Sequence, residues 1–221
     1  AVTLSYDDGI RQDRRLVEIM NRYGVRGTFH LNSKHVTNDD EGHIHSEELP
    51  KLYAGHEVAV HCVTHPVLPS LPNEGVVQEV LEDRKTLEKC CGYPVRGMSY
   101  PFGAYDERVI SLIKNCGIVY SRAVQTTNNF GLPNNFMKWE GTCHHNGNLL
   151  ELADKFLKTK DDRWKQHRLL YVWGHSYEFD NDNNWDMIEA FCEKIGNKDY
   201  IWYATNIEIY DYIKAMRSLC F

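Results

Sequence analysis

Two histidines in the first third of the chain have a spacing that suits a metal ion. His61 and His65 are separated by three intervening residues, and Pro66 follows them directly. Because proline disfavours the helical conformation in the residue before it, this pair should leave the end of a strand. Two imidazoles and one carboxylate form a good site for zinc or a similar divalent ion. For the pair alone, two unrelated histidines, one buried and one on the surface, are the simpler interpretation.

An adjacent pair of carboxylates changes that balance. Asp7 and Asp8 follow the expected buried strand 2–6 and precede Gly9. Neighbouring carboxylates repel each other unless a cation or a shared proton relieves them, although an Asx-type turn is an ordinary alternative. With one aspartate on a metal ion, the other can act as base toward a metal-bound water, whose pKa is then about 7. The two aspartates and two histidines together predict a metal-dependent hydrolytic site.

Other catalytic schemes fit less well. Gly174-His175-Ser176-Tyr177-Glu178 approaches the G-x-S-x-G elbow of serine hydrolases, but a glutamate replaces the last glycine and no histidine follows His175. His56-Glu57 lies one residue too far from His61 for the H-E-x-x-H motif of zinc proteases. Iron(II) oxygenases also use two histidines and one carboxylate. The second aspartate and the alternation of strands with helices count against that class.

Short apolar runs alternate with amphipathic stretches along the chain and must position these residues. Strands are expected at 2–6, 26–31, 58–61, 98–100, 118–123, 169–173 and 200–203, with helices between most of them. The segment 126–148, rich in Asn, Gly and Pro, is expected to be a long loop. The last helix should open with the capping box Thr205-x-x-Glu208 and carry Ile209, Ile213, Met216 and Cys220 on one face.

This alternation predicts an α/β fold with a mostly parallel sheet, open or closed into a barrel. Polar clusters follow four of the expected strands, at 7–9, 61–65, 101–103 and 174–175. In either architecture these strand ends converge on one face, where ligands bind. One shared site is therefore expected there.

Composition narrows the class of protein. The 221 residues suit one domain, 1–221, and the net charge of −6 comes without clusters of Lys and Arg, so neither nucleic acid nor an anionic membrane surface is an expected partner. No apolar stretch approaches the ~18 residues of a membrane span. Seven cysteines without Cys-x-x-Cys indicate reduced thiols. Because the first residues show no signal-peptide pattern, we expect a cytoplasmic protein.

Four motifs make the chain resemble the polysaccharide deacetylase family, the NodB-homology group. The family's T-F-D-D-G appears as Ser5-Tyr6-Asp7-Asp8-Gly9, and its G-H-E and H-[ST]-x-x-H-P appear as Gly55-His56-Glu57 and His61-Cys62-Val63-Thr64-His65-Pro66. R-P-P-Y-G is present in part as Tyr100-Pro101-Phe102-Gly103, and the motif ending in Leu-x-His as Tyr171-Val172-Trp173-Gly174-His175. Order and spacing agree across roughly residues 1–215.

The resemblance implies a distorted (β/α) barrel and a role for each motif residue. Asp8, His61 and His65 would hold one divalent ion, with zinc favoured, and Asp7 would be the general base. The backbone N–H of Phe102 would hold the oxyanion, and His175 would protonate the leaving amine. Tyr100 and Trp173 are candidate substrate contacts.

The chain departs from the family pattern in its third motif. The family's arginine, which steadies the base, should stand at Ser99, and Arg96 would lie on the opposite face of the strand. We expect Arg122, near the end of the following strand, to take that place, although a structural ion pair is an equal alternative. Glu178 and Asp180 are the two candidates for orienting His175.

Two further features have weaker predictions. Trp139 is a candidate for the family's tryptophan motif. His144 and His145, in the long loop, are candidates for lining the substrate groove or binding a second ion.

These features predict a hydrolase that removes N-acetyl groups from a saccharide, with O-acetyl groups as an additional candidate. One alternative is a metal amidase of the same fold acting on a small non-sugar amide or imide. Another is a carbohydrate-binding homologue that has lost turnover.

Overall fold

The computed structural model describes residues 1–38, 41–161 and 167–219. Within these residues the strands are β1 (Val2–Asp7), β2 (Gly27–Leu31), β3 (Glu57–Val60), β4 (Gly97–Ser99), β5 (Tyr120–Thr126), β6 (Trp139–Gly141), β7 (Cys143–His144) and β8 (Leu170–Gly174). The α-helices are α1 (Asp13–Arg22), α2 (Ser33–Thr37), α3 (Leu49–Leu52), α4 (Asn73–Cys91), α5 (Glu107–Asn115), α6 (Leu149–Lys158), α7 (Glu178–Asn181), α8 (Trp185–Ile195) and α9 (Asn206–Leu219).

The strands form one parallel sheet in the order β6-β5-β4-β3-β2-β1-β8-β7. Thr142 alone separates β6, which pairs with β5, from β7, which pairs with β8, and its backbone N–H donates to the Tyr171 carbonyl at 2.7 Å. This one segment therefore joins the two edges of the sheet and nearly closes it. The expected (β/α) barrel is confirmed.

Burial explains why these segments become strands and helices. Every residue of β1 and β8 is buried, as expected for parallel strands covered on both faces. The helix α1 buries Leu16, Val17, Ile19 and Met20 along one stripe against the sheet. Gly92, with φ 75°, takes the left-handed conformation that ends α4.

Two expected elements are wrong. The segment 126–148 is not a loop throughout, because it contains β6 and β7, which have only three and two residues and are too short for a periodic pattern to reveal. The expected strand at 200–203 is reduced to a single bridge between Tyr203 and Val2.

The last helix begins as its capping box predicts. Its cap joins the Thr205 backbone N–H to the Glu208 carboxylate at 2.8 Å, and Ile209 and Ile213 are buried. The fourth residue of the expected face, Cys220, lies outside the described residues. None of the helices in the described ranges is long and apolar enough to cross a membrane.

The two ends of the barrel differ in chemistry. The strands β1, β3, β4 and β8 end at Asp7, Val60, Ser99 and Gly174, immediately before or within the polar clusters named above. At the opposite end, the buried Glu57 carboxylate accepts hydrogen bonds from Thr28 and Tyr120 at 2.9 and 2.7 Å. The candidate site therefore lies at the carboxyl ends of the strands.

Candidate active site

The three expected metal ligands converge at the carboxyl end of the barrel. Asp8 Oδ1 lies 3.5 Å from His61 Nε2 and 3.8 Å from His65 Nε2. Ligand atoms about 2.0–2.1 Å from a tetrahedral zinc ion lie about 3.3 Å from one another. The observed spacing is only slightly wider, so the three side chains fit one shared ion.

The protonation of His61 also fits a metal ligand. Its Nδ1 lies 3.0 Å from the Ser99 carbonyl oxygen and 2.7 Å from the Ser99 hydroxyl. Because a carbonyl oxygen only accepts hydrogen bonds, Nδ1 carries the proton and Nε2 keeps its lone pair. Burial lowers the pKa of His61 to about 4, so the imidazole is neutral at pH 7, the form that binds a metal.

The backbone around the cluster is strained. Asp8, Cys62, His65 and Phe102 have φ values of 80°, 67°, 56° and 57°, in the left-handed region that side chains other than glycine rarely adopt. Each such residue costs about 1–3 kcal/mol and persists only where its surroundings impose it. Strain concentrated in this way is typical of active sites.

Two buried polar side chains hold the loop that carries the histidine ligands. Asn32 donates from Nδ2 to the carbonyls of His61 and Cys62 at 2.6 and 2.9 Å. The Asp83 carboxylate accepts from the backbone N–H groups of Ser33 and His61 at 2.7 and 3.0 Å. The loop 61–65 is therefore fixed from α4 and from the end of β2.

Asp7 lies next to the cluster and is 3% exposed. Its Oδ1 accepts from the Ser99 hydroxyl at 3.1 Å and lies 3.3 Å from His30 Nδ1, while its Oδ2 contacts the Arg122 guanidinium. Burial alone would raise the pKa of Asp7, but the charge of Arg122, with His61 and His30, holds it well below its usual value. The carboxylate is therefore ionised.

The sheet register explains the position of Arg122. Ser99, where the family's arginine is expected, is paired with Arg122 of the adjacent strand β5. The buried guanidinium lies over the Trp173 ring, with its carbon 4.7 Å from the ring centroid. A neighbouring strand thus brings an arginine to Asp7, and the role expected for Arg122 stays a prediction. Arg96 instead pairs with Asp211 on the surface.

His175 has one carboxylate partner. Its Nδ1 lies 3.2 Å from Glu178 Oε1, whereas Asp180 accepts hydrogen bonds from Trp185 and Gln12. Burial lowers the pKa of His175, but the hydrogen bond with Glu178 and the charges of Asp7 and Asp8 outweigh it and raise the pKa above its usual value. Of the two expected partners, Glu178 is the one beside His175.

The three expected substrate contacts have different surroundings. Phe102 is 64% exposed, and its ring lies 4.4 Å from that of His65, so it borders the site. The Tyr100 side chain is not brought to the site, because it is buried and its hydroxyl donates to the Met137 carbonyl. Trp173 is largely buried beneath Arg122. Trp173 therefore has no exposed ring face with which to make the expected substrate contact.

Other expected residues lie elsewhere. Trp139 is fully buried, with its ring 5.4 Å from that of Tyr120 and 5.0 Å from that of Tyr171. His144 and His145 face Glu178 and form with it a second group whose donor types could hold a metal ion.

Sequence reasoning missed three residues that support the site: His30, Asn32 and Asp83. His30 pairs with Asp7 in the register of β1 and β2, and the parallel alignment of these two strands is the signal that places it there. Asn32 and Asp83 act through the fold, and no local motif marks them.

The (β/α) barrel and the Asp-His-His site at its carboxyl end are features expected of the polysaccharide deacetylase family, and the comparisons with known proteins support that family. The sequence model of the polysaccharide deacetylase family matches residues 1–121, more than half of the chain. The chain therefore belongs to the polysaccharide deacetylase family.

Two named deacetylases are similar in sequence to about half of the chain. Chitin deacetylase 1 of Cryptococcus neoformans is 27% identical over 116 residues, 52% of this chain and 24% of that protein. A chitooligosaccharide deacetylase of Sinorhizobium fredii is 25% identical over 126 residues, 53% of this chain and 54% of that protein. The chain thus spans about half the length of these relatives or less.

The fold likeness extends further than the sequence likeness. The Xyl-CE4 domain of a multidomain xylanase from the hindgut metagenome of Trinervitermes trinervoides matches with a TM-score of 0.62 at 15% identity. The match covers 96% of this chain and 90% of that one. It supports the barrel along nearly the whole chain.

Proposed function

We propose that this protein is a metal-dependent hydrolase that removes N-acetyl groups from a saccharide. The observation that carries the proposal is the Asp8, His61 and His65 cluster with the ionised Asp7 carboxylate directly beside it. Such a donor set suits zinc, which is the metal we favour. When bound there, a divalent ion lowers the pKa of a water ligand to about 7 and polarises the substrate carbonyl.

The chain's own residues supply the remaining steps. Asp7, held by Arg122, takes a proton from the attacking water as the water oxygen bonds to the acetyl carbon. The backbone N–H of Phe102 donates to the oxygen that gains negative charge, a contribution typically of about 3–4 kcal/mol. His175 gives a proton to the nitrogen as the carbon–nitrogen bond breaks, so acetate and a free amine leave.

The relatives' names and the shape of the site favour an acetylated saccharide. Two relatives are named as deacetylases of chitin and of chitooligosaccharide. The exposed Phe102 ring beside His65 offers an apolar face on which a sugar ring can stack. The same proton transfers would serve an O-acetyl ester, so ester cleavage is an additional expectation.

Metal content and acetate release test the proposal together. Wild-type protein should hold about one equivalent of a divalent ion at this cluster and release acetate from oligomers of N-acetylglucosamine. His61→Ala/His65→Ala should lose both. His167→Ala is the control. His167 is exposed and lies before β8, at the opposite end of the barrel, so this variant should keep both the metal ion and acetate release.

Other outcomes would identify the rivals. The departure at Ser99 and Arg122 from the family's third motif keeps a non-sugar amidase as the second candidate. Hydrolysis of cyclic imides without acetate release would favour that amidase. A protein that binds the oligomers, holds metal and releases no acetate would be a binding homologue.

A further inference from the structure

The Glu178 carboxylate lies close to three histidines, one of which is the proposed general acid His175. Glu178 Oε2 lies 3.1 Å from His144 Nε2 and 3.0 Å from His145 Nε2, while Glu178 Oε1 lies 3.2 Å from His175 Nδ1. His144 and His145 belong to β7 and the residue after it, the segment that closes the barrel against β8. The closing segment therefore reaches the group that contacts His175.

The hydrogen bonds of His144 define its protonation. Its Nδ1 accepts the backbone N–H of Asn146 at 3.2 Å, so this nitrogen keeps its lone pair. The neutral imidazole then carries its proton on Nε2, which faces Glu178. A metal ion on Nε2 would need the opposite tautomer, and two N–H groups would then face each other at Asn146. The geometry therefore favours a hydrogen bond from His144 to Glu178 over a second metal site.

His145 is enclosed on every side. It is fully buried, with ring centroids 5.7 Å from Tyr6 and 4.2 Å from Phe179 in stacked arrangements. Burial lowers its pKa, so the ring is neutral at pH 7. Neither ring nitrogen meets hydrogen-bond geometry with a partner among the described residues. Its Nε2 nevertheless lies 3.0 Å from Glu178 Oε2, within the distance at which a carboxylate accepts an N–H.

We propose that His144 and His145 are positioning residues that hold the Glu178 carboxylate, which in turn keeps the proton of neutral His175 on Nδ1. Nε2 of His175 is then the nitrogen that exchanges the catalytic proton. The inference rests on the proposed function, in which His175 is the general acid. It assigns a task to two histidines that the deacetylation steps themselves do not use.

The tautomer of His175 can be read without catalysis. Nitrogen-15 NMR of histidine-labelled protein separates the two ring nitrogens, and a His175→Gln spectrum assigns the signal. In wild type we expect Nδ1 to be protonated in the neutral ring. Glu178→Gln should move His175 toward the Nε2–H form that is preferred in water, because the neutral amide oxygen of glutamine accepts a weaker hydrogen bond from Nδ1 than the carboxylate does.

A matched pair of variants separates positioning from packing. His144→Gln keeps an N–H donor at the position of Nε2, whereas His144→Leu fills similar space without one. We expect His144→Leu to shift the His175 signals toward those of Glu178→Gln, and His144→Gln to restore the wild-type signals. Identical wild-type tautomers in Glu178→Gln and His144→Leu would overturn the proposal.

Kinetics provide a second measurement on acetate-releasing protein. Among the described residues, the charged and titratable groups facing His175 are Glu178, His144, His145, Tyr177, Asp7 and Asp8. Removing the Glu178 charge should lower kcat on the order of 10²-fold at little cost in KM. The alkaline limb of kcat should move to lower pH, because His175 then loses its proton more readily. An unmoved alkaline limb would contradict the proposal.

Metal analysis gives the remaining outcome. A second equivalent of zinc in wild type that His144→Leu removes, and His61→Ala/His65→Ala keeps, would overturn positioning in favour of a second metal site. If wild type releases no acetate while the His175 tautomer responds as expected, the proposed function fails and the hydrogen-bond assignment stands.

Discussion

At the scale of the residue, Asp7 shows how one carboxylate is held ionised inside a protein. It is buried, and burial favours its protonated form, yet Arg122, His61 and His30 reverse that preference. Arg122 reaches it from the strand next to Ser99, because residues in register on parallel strands lie side by side. An arginine on either strand can therefore serve the same carboxylate, which explains how the altered third motif is compatible with an ionised Asp7.

Arg122→Met tests this ion pair. It leaves the Asp7 charge buried without its partner, so we expect the free energy of unfolding to fall by about 3–5 kcal/mol. Arg122→Lys keeps the charge but loses the planar fork and its stacking on Trp173, so kcat should fall on the order of 10²-fold while metal content is kept. Urea unfolding, acetate release and metal analysis measure these effects.

Arg96→Met, which replaces an arginine on the surface, is the matched control. It removes an ion pair with the exposed Asp211, which should cost at most about 1 kcal/mol. If Arg122→Lys and Arg96→Met were equally active, Arg122 would be a structural ion-pair residue with no part in turnover.

The site residues that sequence alone predicts are those with close neighbours in the chain. Asp7 and Asp8 are adjacent, and His61 and His65 are separated by three residues, so local spacing predicts their chemistry. His30 reaches Asp7 only through the pairing of β1 with β2. The support from Asp83 likewise depends on how α4 packs against the sheet, which no local pattern records.

At the scale of the element, the loop 61–65 is a strained segment fixed from outside. Cys62 and His65 both have left-handed backbone conformations, and Asn32 donates to the carbonyls of His61 and Cys62. Without those bonds, the two carbonyls would be buried without a partner and the loop could relax. The element's geometry, and with it the spacing of two metal ligands, depends on a side chain from another strand end.

Asn32→Ala should therefore weaken metal binding while all three ligands stay in place. Loss of a side chain that supports ligands typically lowers metal affinity about 10–100-fold. Competition with a chelator of known affinity measures the change. Thr64→Ala is the control. Thr64 lies in the same loop, and the variant removes only an exposed side-chain hydrogen bond to Glu79 of α4, so it should keep wild-type affinity. Equal affinities in the two variants would show that the loop holds its shape unaided.

Element length decides which strands the sequence could predict. The strands β1, β2 and β8 have five or six residues, enough for the sequence to predict each of them within about two residues of its bounds. The strands β6 and β7 are too short for a periodic pattern, and tertiary pairing with β5 and β8 defines them. The part of the barrel that the sequence could not predict is its closure.

At the scale of the whole molecule, the barrel separates a strained polar site at one end from a buried carboxylate at the other. Glu57 accepts from the Thr28 and Tyr120 hydroxyls and from the Ile207 backbone N–H. Burial raises its pKa to about 7 despite these hydrogen bonds. The end of the barrel away from the site therefore makes the stability of the whole fold depend on pH.

Glu57→Gln should reduce that dependence. The folded protein keeps the Glu57 proton up to about pH 7, whereas the unfolded chain releases it near pH 4.5, so between these values the folded state binds more protons. Stability contributed by Glu57 is therefore fully present below pH 4.5 and falls as the pH rises toward 7, by about 3 kcal/mol in total. A glutamine has no ionisable group, so it does not respond to this change of pH. Its amide can still accept at one position and donate to the Tyr120 hydroxyl at the other. Urea unfolding at pH 4.5 and pH 8 should show the variant gaining stability relative to wild type at the higher pH, with the exposed Glu140→Gln as a control for the loss of one charge. If the difference between variant and wild type were the same at both values, Glu57 would be ionised in the folded barrel throughout, and its three hydrogen bonds would outweigh its burial.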